Sequence, residues 1–162
     1  MFRVSFTGHR PNKLPYFSED DPMCEQLKER LKKQIVKLID EGAEEFCSGM
    51  ALGVDTWAAE AVLELKETYA NIRLTAVIPC PDQAKSWTKE DQARYQSILS
   101  RCDQKIMTSK QYIKGCMQKR NCALVNMCDV LIAVFDGTAG GTKNTVDYAK
   151  SKNKRIEIVP VM

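Results

Sequence analysis

The sequence has one histidine, His9, and its seven cysteines include no Cys-x-x-Cys pair. Structural zinc sites draw four ligands from closely spaced cysteines and histidines, so we expect no metal site. The odd number of cysteines and the lack of a secretory signal also argue against a disulfide framework. We therefore expect buried free thiols, since free cysteine packs as a small apolar side chain.

Long apolar runs and a strong net charge are also absent. No run approaches the roughly twenty apolar residues that span a bilayer, and the N-terminal residues lack the apolar core of a secretory signal. The 24 basic and 21 acidic residues give a formal charge of +3, too small to indicate a dedicated nucleic-acid or membrane-surface protein. We expect one domain, residues 1–162, in the cytoplasm and without a membrane partner.

Strand-like and helix-like segments alternate along the chain. Apolar residues recur at three- and four-residue spacing in the helical segments, and β-branched or continuous apolar runs mark the strands. The predicted strands cover 2–7, Glu45–Ser48, 72–78, 105–108, a run starting at Val130, and Arg155–Val159. The predicted helices run from a cap at Asp21 to Gly42, over 56–69, from a cap at Thr88, over 115–128, and from about Gly141.

This alternation favours an α/β fold: a single Rossmann-like domain with a mostly parallel sheet and helices on both faces, in three layers. Right-handed crossovers leave few other arrangements. The first strand fits less well, because Arg3, Ser5 and Thr7 make one of its sides polar. A central strand of a parallel sheet is usually apolar on both sides.

The segment from Val130 to Val146 has the pattern of an anion-binding turn. An apolar run leads into an Asp-Gly turn, then Gly140-Gly141-Thr142, then a helical segment. Glycines let the backbone turn sharply. A helix starting near Gly141 would direct unpaired N–H groups and its positive dipole end at a phosphate or carboxylate. A plain strand-to-helix turn is the alternative.

Two further glycine-bearing loops follow predicted strands, at 7–11 and 48–55, and we expect all three loops to meet at one edge of the sheet. Gly8, Gly49 and Gly53 are expected to permit close backbone approach. The predicted ligand- and phosphate-binding residues are Thr7, Gly8, His9, Arg10, Ser48, Gly49, Gly53, Asp55, Arg120, Asn121, Asp136, Gly137, Gly140, Gly141, Thr142, Asn144 and Thr145.

Several of these motifs resemble the SLOG superfamily. Residues 48–60, SGMALGVDTWAAE, closely resemble the signature of the DprA/Smf proteins, and Arg120 with Gly140-Gly141-Thr142 is similar to the arrangement in LOG proteins. Four further motifs resemble the YpsA-type branch of uncharacterised bacterial proteins: TGHRP, the pattern Pro81, Gln83 and Trp87, QKRN at 118–121, and DGTAGGTKNTV.

The resemblance spans essentially the whole chain. It implies a Rossmann-like fold that binds nucleotides or nucleotide-derived ligands, often as a homo-oligomer, and we expect both here. LOG-type phosphoribohydrolases carry a glutamate three residues after the motif threonine, where this chain has Thr145, and Asp136 replaces the proline that opens their motif. A hydroxyl cannot stabilise positive charge on a ribosyl carbon as a carboxylate does. The sequence therefore retains the residues for ligand binding better than those for hydrolysis.

Four candidate residues also have ordinary structural interpretations. Asp55 either contacts a ligand or caps the helix that follows. Arg120 either contacts a ligand, which we favour, or forms a surface ion pair. A lone histidine such as His9 more often forms loop hydrogen bonds than acts as an acid or base, and no carboxylate partner is evident. Trp87 is more often a core residue than a stacking surface for a base.

The leading hypothesis is therefore a sensor or regulatory protein that binds a small nucleotide derivative and needs no metal or cofactor. A nucleotide N-glycosidase is the first alternative, with Asp55, Glu60, Asp136 or Asp147 replacing the missing glutamate. Single-stranded DNA binding, which the DprA resemblance permits, is the second. It requires basic grooves with aromatic platforms, and the small net charge ranks it below the nucleotide hypothesis.

Overall fold

Parallel strands form one central sheet in the computed structural model, which describes residues 1–16 and 18–162. The strands are β1 (Arg3–Gly8), β2 (Glu45–Ser48), β3 (Arg73–Ile78), β4 (Gln104–Met107), β5 (Val130–Val134) and β6 (Arg155–Val159). Their order across the sheet is β4-β3-β2-β1-β5-β6. The helices are α1 (Pro22–Asp40), α2 (Val54–Leu65), α3 (Lys89–Arg101), α4 (Cys116–Met127) and α5 (Gly141–Ser151), with a 3-10 turn at Pro11–Lys13.

The helices cover both faces of the sheet, which confirms the predicted three-layer Rossmann-like fold. Helices α1, α2 and α3 pack on one face over the larger core, where the rings of Phe6 and Phe46 stack with centroids 6.1 Å apart. Helices α4 and α5 cover the other face over smaller clusters around Leu124, Val125 and Leu131. The central strands are thus enclosed between helices, as parallel sheets require, whereas the edge strand β4 is largely exposed.

Most predicted elements coincide with the observed ones to within a few residues. Asp21 and Thr88 cap α1 and α3 as expected, since their side chains accept hydrogen bonds from the backbone N–H groups of Met23 and Asp91. The helix predicted over 56–69 instead begins at Val54, because Gly53 with a φ of +88° turns the chain into the helix early. It ends at Leu65.

The polar side of β1 has a structural reason, although β1 lies at the centre of the sheet. Ser5 donates a 2.7 Å hydrogen bond to the carbonyl of Leu124 in α4, and Arg3 donates one of 2.6 Å to the buried carboxylate of Glu45. Thr7, the third polar residue, lies at the carboxyl end of the strand. Ser5 and Arg3 thus have hydrogen-bond partners within the fold. Thr7 lies at the edge of the sheet where the candidate site is found.

The strand order reverses between β1 and β5. From β1 the chain adds β2, β3 and β4 on one side, then crosses back to place β5 on the other side of β1. The last paired residues of the two strands are Gly8 and Val134. Their carboxyl ends open the crevice in which sheets of this kind bind ligands.

Five of the seven cysteines are buried as expected, while Cys102 and Cys122 are half-buried. Burial raises the pKa of the Cys47 thiol to about 12, so this thiol is not a nucleophile at neutral pH. Across the described residues, no helix combines the length and hydropathy needed to cross a membrane.

The contact between Gly8 and α2 fixes the loop after β1, and it predicts the effect of one substitution. A Cβ at Gly8 would lie 2.4 Å from Cγ1 of Val54, so we expect Gly8→Ala to destabilise the fold by about 1–3 kcal/mol through overpacking. Urea unfolding measures the effect. Gly141→Ala is the matched control, because nothing lies within 4 Å of a Cβ there.

Removing the clash partner tests the cause. The double variant Gly8→Ala, Val54→Gly should lose less stability than the sum of the two single variants, since all three close contacts are with the Val54 side chain. Strict additivity would contradict this explanation.

Candidate functional site

A cleft of about 200 Å³ lies at the reversal point, between the loop after β1, the loop before α2, helix α4 and the start of α5. We call it the anion cleft. The structure thus brings the three glycine-bearing loops to one edge of the sheet. Predicted residues that line the cleft are Thr7, Gly8, His9, Arg10, Asp55, Arg120, Asn121, Gly141 and Thr142. Phe6, Asn12, Lys13 and Ala51 line it as well.

Helix α5 begins at the cleft with its N-terminus open. Gly140 is the cap residue, with a φ of +147° and no side-chain capping bond, and Gly141 begins the helix. Thr142 is buried and lines the cleft. The N–H groups of this first turn and the positive end of the helix dipole are available to an anion.

Lys13 lies against the same turn. Its Nζ donates a 2.9 Å hydrogen bond to the carbonyl of Ala139. A Cβ at Gly140 would lie 2.5 Å from the same Nζ. Gly140 therefore meets two demands: a backbone conformation that other residues rarely adopt, and room for an ammonium group. Sequence reasoning missed Lys13 and Asn12, since a loop lysine in a lysine-rich chain carries no distinguishing signal.

Arg120 is the central charge of the cleft, and only 2% of its surface is exposed. The interpretation of a surface ion pair is wrong. Its guanidinium donates to the carbonyl of Gly49, to Gln83 Oε1 at 3.2 Å and to Asn121 Oδ1 at 3.0 Å. Among the residues that the structure describes, no carboxylate forms an ion pair with it.

The buried Asp55 in the same cleft attracts the charge of Arg120, but it forms no ion pair with it, and burial raises the pKa of Asp55. Burial lowers the pKa of Arg120, yet a guanidinium stays protonated in proteins. Neutral acceptors satisfy several of its N–H groups, but a buried charge without a counter-charge is unfavourable. An anionic ligand would supply that counter-charge.

Glycines near the cleft make room for other parts of the protein. A Cβ at Gly49 would lie 2.9 Å from the Arg120 guanidinium carbon, and one at Gly53 would lie 2.9 Å from Pro11 Cδ. Together with the contact between Gly8 and Val54, these approaches position the loops. The sequence predicted that these glycines let the backbone come close to a ligand. In the structure they let segments of the protein pack closely against one another.

Asp55 lies in the first turn of α2, where Gly53 and not Asp55 is the cap residue. Its carboxylate accepts a 3.3 Å hydrogen bond from the N–H of Ala51, so it braces the preceding loop and the interpretation as a helix cap is wrong. Burial raises the pKa of Asp55. Ser48 braces the loop too, by donating to the carbonyl of Asp55 at 2.8 Å.

His9 does have a carboxylate partner. Its imidazole is 2% exposed, and Nε2 lies 2.9 Å from Asp136 Oδ1, across the gap between the ends of β1 and β5. The same oxygen accepts hydrogen bonds from the N–H and hydroxyl of Thr138. Hydrogen bonds from Thr138 and His9 hold the pKa of Asp136 well below its usual range. The two residues are 127 positions apart, so only the sheet order pairs them.

Several predicted residues do not line the cleft. Thr145, at the position of the LOG glutamate, is buried and donates a 2.9 Å hydrogen bond to the carbonyl of Gly141 in its own helix. Its hydroxyl is thus engaged within α5. The other predicted residues outside the lining are Ser48, Gly49, Gly53, Asp136, Gly137, Gly140 and Asn144.

Of the four acids considered for hydrolysis, Asp55 lines the cleft. Glu60 accepts from Arg94 at 2.6 Å, Asp147 pairs with Lys143 at 2.6 Å, and Asp136 pairs with His9. The raised pKa of Asp55 works against the ionised form that would stabilise a ribosyl cation. Among the described residues, no three His, Cys, Asp or Glu side chains group as metal ligands.

Comparison with known proteins decides the family. The family model YpsA, described as the YspA SLOG family, matches residues 4–160. The chain belongs to that family. The UPF0398 protein YpsA of Bacillus subtilis (strain 168) is 24% identical over 160 residues, which cover 98% of this chain and 89% of the relative. A UPF0398 protein of Bacillus thuringiensis (strain Al Hakam) is 28% identical over 156 residues, covering 95% and 85%.

Two solved structures are similar in fold. The DNA processing protein A of Helicobacter pylori, studied for its single-stranded DNA binding mode, matches with a TM-score of 0.67 and 21% identity over 97% of this chain and 64% of that chain. DprA of Streptococcus pneumoniae matches with a TM-score of 0.66 and 20% identity over 97% of this chain and 50% of that chain. This chain therefore spans less than two thirds of either solved chain.

The contact between His9 and Asp136 predicts which nitrogen of the imidazole carries its proton. An ionised carboxylate only accepts hydrogen bonds, so neutral His9 should be protonated on Nε2. We expect Asp136→Asn to weaken this preference, because an amide both donates and accepts. Nitrogen NMR measures the tautomer without assignment, since the sequence has one histidine.

Asp147→Asn is the control for this measurement. It also removes a carboxylate, but one paired with Lys143 on α5, and it should leave the tautomer unchanged. Protonation of the wild-type imidazole on Nδ1 would contradict the assigned contact.

Proposed function

We propose that this protein binds a nucleotide or nucleotide-derived small molecule, with the phosphate groups of the ligand in the anion cleft. One observation carries the proposal: Arg120 is buried in the cleft wall without an ion-paired carboxylate among the described residues. Such a charge is unfavourable until an anion arrives. Nε and Nη1 of Arg120 donate to protein acceptors, so Nη2, whose contact is with Met117 Sδ at 3.9 Å, is the nitrogen that would donate to a phosphate oxygen.

The other groups that line the cleft also favour an anionic ligand. Arg10 and Lys13 are exposed at its mouth, and Gly141 and Thr142 belong to the first turn of α5. Exposed cations attract a charged ligand from solution, while the helix N-terminus offers hydrogen-bond donors in fixed positions. Family membership supports the same class of ligand.

Binding without turnover is the form of this function that we propose, as in a sensor or regulatory protein. Two of the four candidate acids, Glu60 and Asp147, form ion pairs, and Asp136 is hydrogen-bonded to His9. The Thr145 hydroxyl is bonded inside its own helix. Burial opposes ionisation of the remaining acid, Asp55. The cleft thus has the groups to hold a phosphate, whereas the carboxylate of the hydrolases is missing.

A carboxylate introduced at Gly141 should abolish phosphate binding. The Cβ of this exposed residue would meet no protein atom within 4 Å, and an acidic residue in the first turn favours the helix, so Gly141→Asp should fold. Like charges cost several kcal/mol, and we expect affinity for ADP or ADP-ribose to fall by about 100-fold or more in calorimetry.

Gly141→Ala separates charge from bulk in this experiment. It adds the same Cβ without a charge, and affinity should stay within about threefold of wild type because the fold tolerates the atom. If Gly141→Asp binds as tightly as Gly141→Ala, the ligand does not contact the N-terminus of α5.

Single-stranded DNA binding is the second candidate function. The similar fold of the Helicobacter pylori protein, whose structure concerns single-stranded DNA binding, favours it. So do the exposed Arg10 and Lys13, which a nucleic-acid backbone could reach. The nucleotide proposal ranks first because the Arg120 charge is buried within a small cleft and not along an open groove.

Salt dependence distinguishes the two functions. We expect no gel shift of an oligothymidylate at about 150 mM salt, because a cleft for a small anion contacts too few phosphates. Binding to DNA would instead be strong at low salt and fall steeply. The double variant Arg10→Gln, Lys13→Gln would then reduce the logarithmic salt slope by about 0.7 for each charge removed, which would establish the second function.

A further inference from the structure

A second cavity lies on the α1–α3 side of the loop after β1. It has a volume of about 260 Å³, compared with about 200 Å³ for the anion cleft, and the two share no lining residue. Its walls come from residues within 11–16 and 18–19, from the residues that precede α2 and α3, and from helices α1, α2 and α3. We call it the aromatic pocket, for the side chains of Tyr16, Trp57, Trp87 and Tyr95 that line it.

The aromatic residues form a fixed surface. Trp57 and Tyr95 are each 5% exposed, and the rings of Trp87 and Tyr95 meet edge to face with centroids 5.3 Å apart. Trp87 itself is half-buried. Trp87 is thus packed against the core and also accessible from the pocket. It can therefore be a core residue and a stacking surface at once, the two interpretations that the sequence left open. Walls of this kind bind planar rings.

The charges of the pocket are already paired. Among the described residues that line it, Arg94 is the sole cation, and it forms ion pairs with Glu19 at 2.7 Å and Glu60 at 2.6 Å. Hydrogen bonds from Arg94 and Lys28 lower the pKa of Glu19 to about 2. Because Arg94 is neutralised and the other ionised lining groups are acidic, the pocket suits an uncharged or cationic ring and not a phosphate.

A groove connects the aromatic pocket to the anion cleft. It shares Arg10, Asn12 and Ala51 with the cleft, and Pro11, Leu52 and Trp87 with the pocket. The groove has its own volume of about 410 Å³. A ligand that occupies both sites must therefore be extended, with its phosphates in the cleft and one ring in the pocket.

We infer that the aromatic pocket is a second subsite, which binds a planar ring of an extended nucleotide whose phosphates lie in the anion cleft. The inference rests on the proposed function for the charged end of the ligand. The ligand class is a nucleotide with a further ring beyond its phosphates, such as a dinucleoside pyrophosphate. Such a molecule makes the phosphate contacts and the ring contacts in one binding event.

Intrinsic fluorescence tests this subsite directly. The sequence has two tryptophans, and both Trp57 and Trp87 line the pocket. We expect diadenosine pyrophosphate to quench this fluorescence and, in calorimetry, to bind about tenfold more tightly than ADP, as a stacked ring contributes. Inorganic pyrophosphate should bind the cleft without a change in fluorescence.

Variants of the pocket supply the comparison. Trp87→Leu should reduce diadenosine pyrophosphate affinity to that of ADP and leave pyrophosphate affinity unchanged, with Trp57 still reporting on the pocket. Trp87→Phe, which keeps a ring, should retain most of the gain. Leu52→Tyr, at a half-buried position between groove and pocket, should block the ring without altering either tryptophan.

The outcomes separate the two proposals. If pyrophosphate and ADP bind but diadenosine pyrophosphate neither quenches nor binds more tightly, the second subsite is refuted and the proposed function stands. If no phosphate compound binds and none quenches, both fall. If diadenosine pyrophosphate quenches and Trp87→Leu leaves the gain in affinity intact, the ring lies elsewhere and the inference is overturned.

Discussion

The burial of Arg120 without an ion pair among the described residues is the constraint on which the proposed anion site depends. Its guanidinium reaches the cleft because α4 packs against β1 and β3 and because Gly49 has no side chain. The Gly49 carbonyl, Gln83 and Asn121 orient it with neutral acceptors. A carboxylate ion-paired with Arg120 would satisfy the charge internally, whereas Asp55 lines the same cleft without forming such a pair. Under the proposed function, the lack of an ion pair among the described residues is what favours the binding of an anion.

Close packing between loops holds this arrangement in place. Gly8 lies against Val54 at the start of α2, and Gly53 lies against Pro11 in the loop after β1. Asp55 closes the intervening loop through the N–H of Ala51. The loops after β1 and β2 are therefore one packed unit, and a Cβ at Gly8 or Gly53 would displace both.

Much of the fold was predictable because its determinants are local. Caps at Asp21 and Thr88, helical periodicity and apolar runs identify elements from neighbouring residues alone. The pairing of His9 with Asp136 depends instead on sheet order, and the burial of Arg120 depends on which loop packs over α4. A polar residue in a helix carries no signal of its depth. Glycine motifs located the site region, but they could not distinguish room for a ligand from room for a side chain.

The division between a charged cleft and an aromatic pocket has a consequence for selectivity. A free phosphate satisfies Arg120 and the N-terminus of α5 but leaves Trp87 and Tyr95 without a ring, whereas a nucleoside alone leaves the buried charge uncompensated. Joining both parts makes the second contact intramolecular, so the combined affinity exceeds that of either part. Because the groove separates the two subsites, ligand length becomes a criterion of recognition, as does charge. The proposed function, discrimination among abundant nucleotides without turnover, needs both criteria.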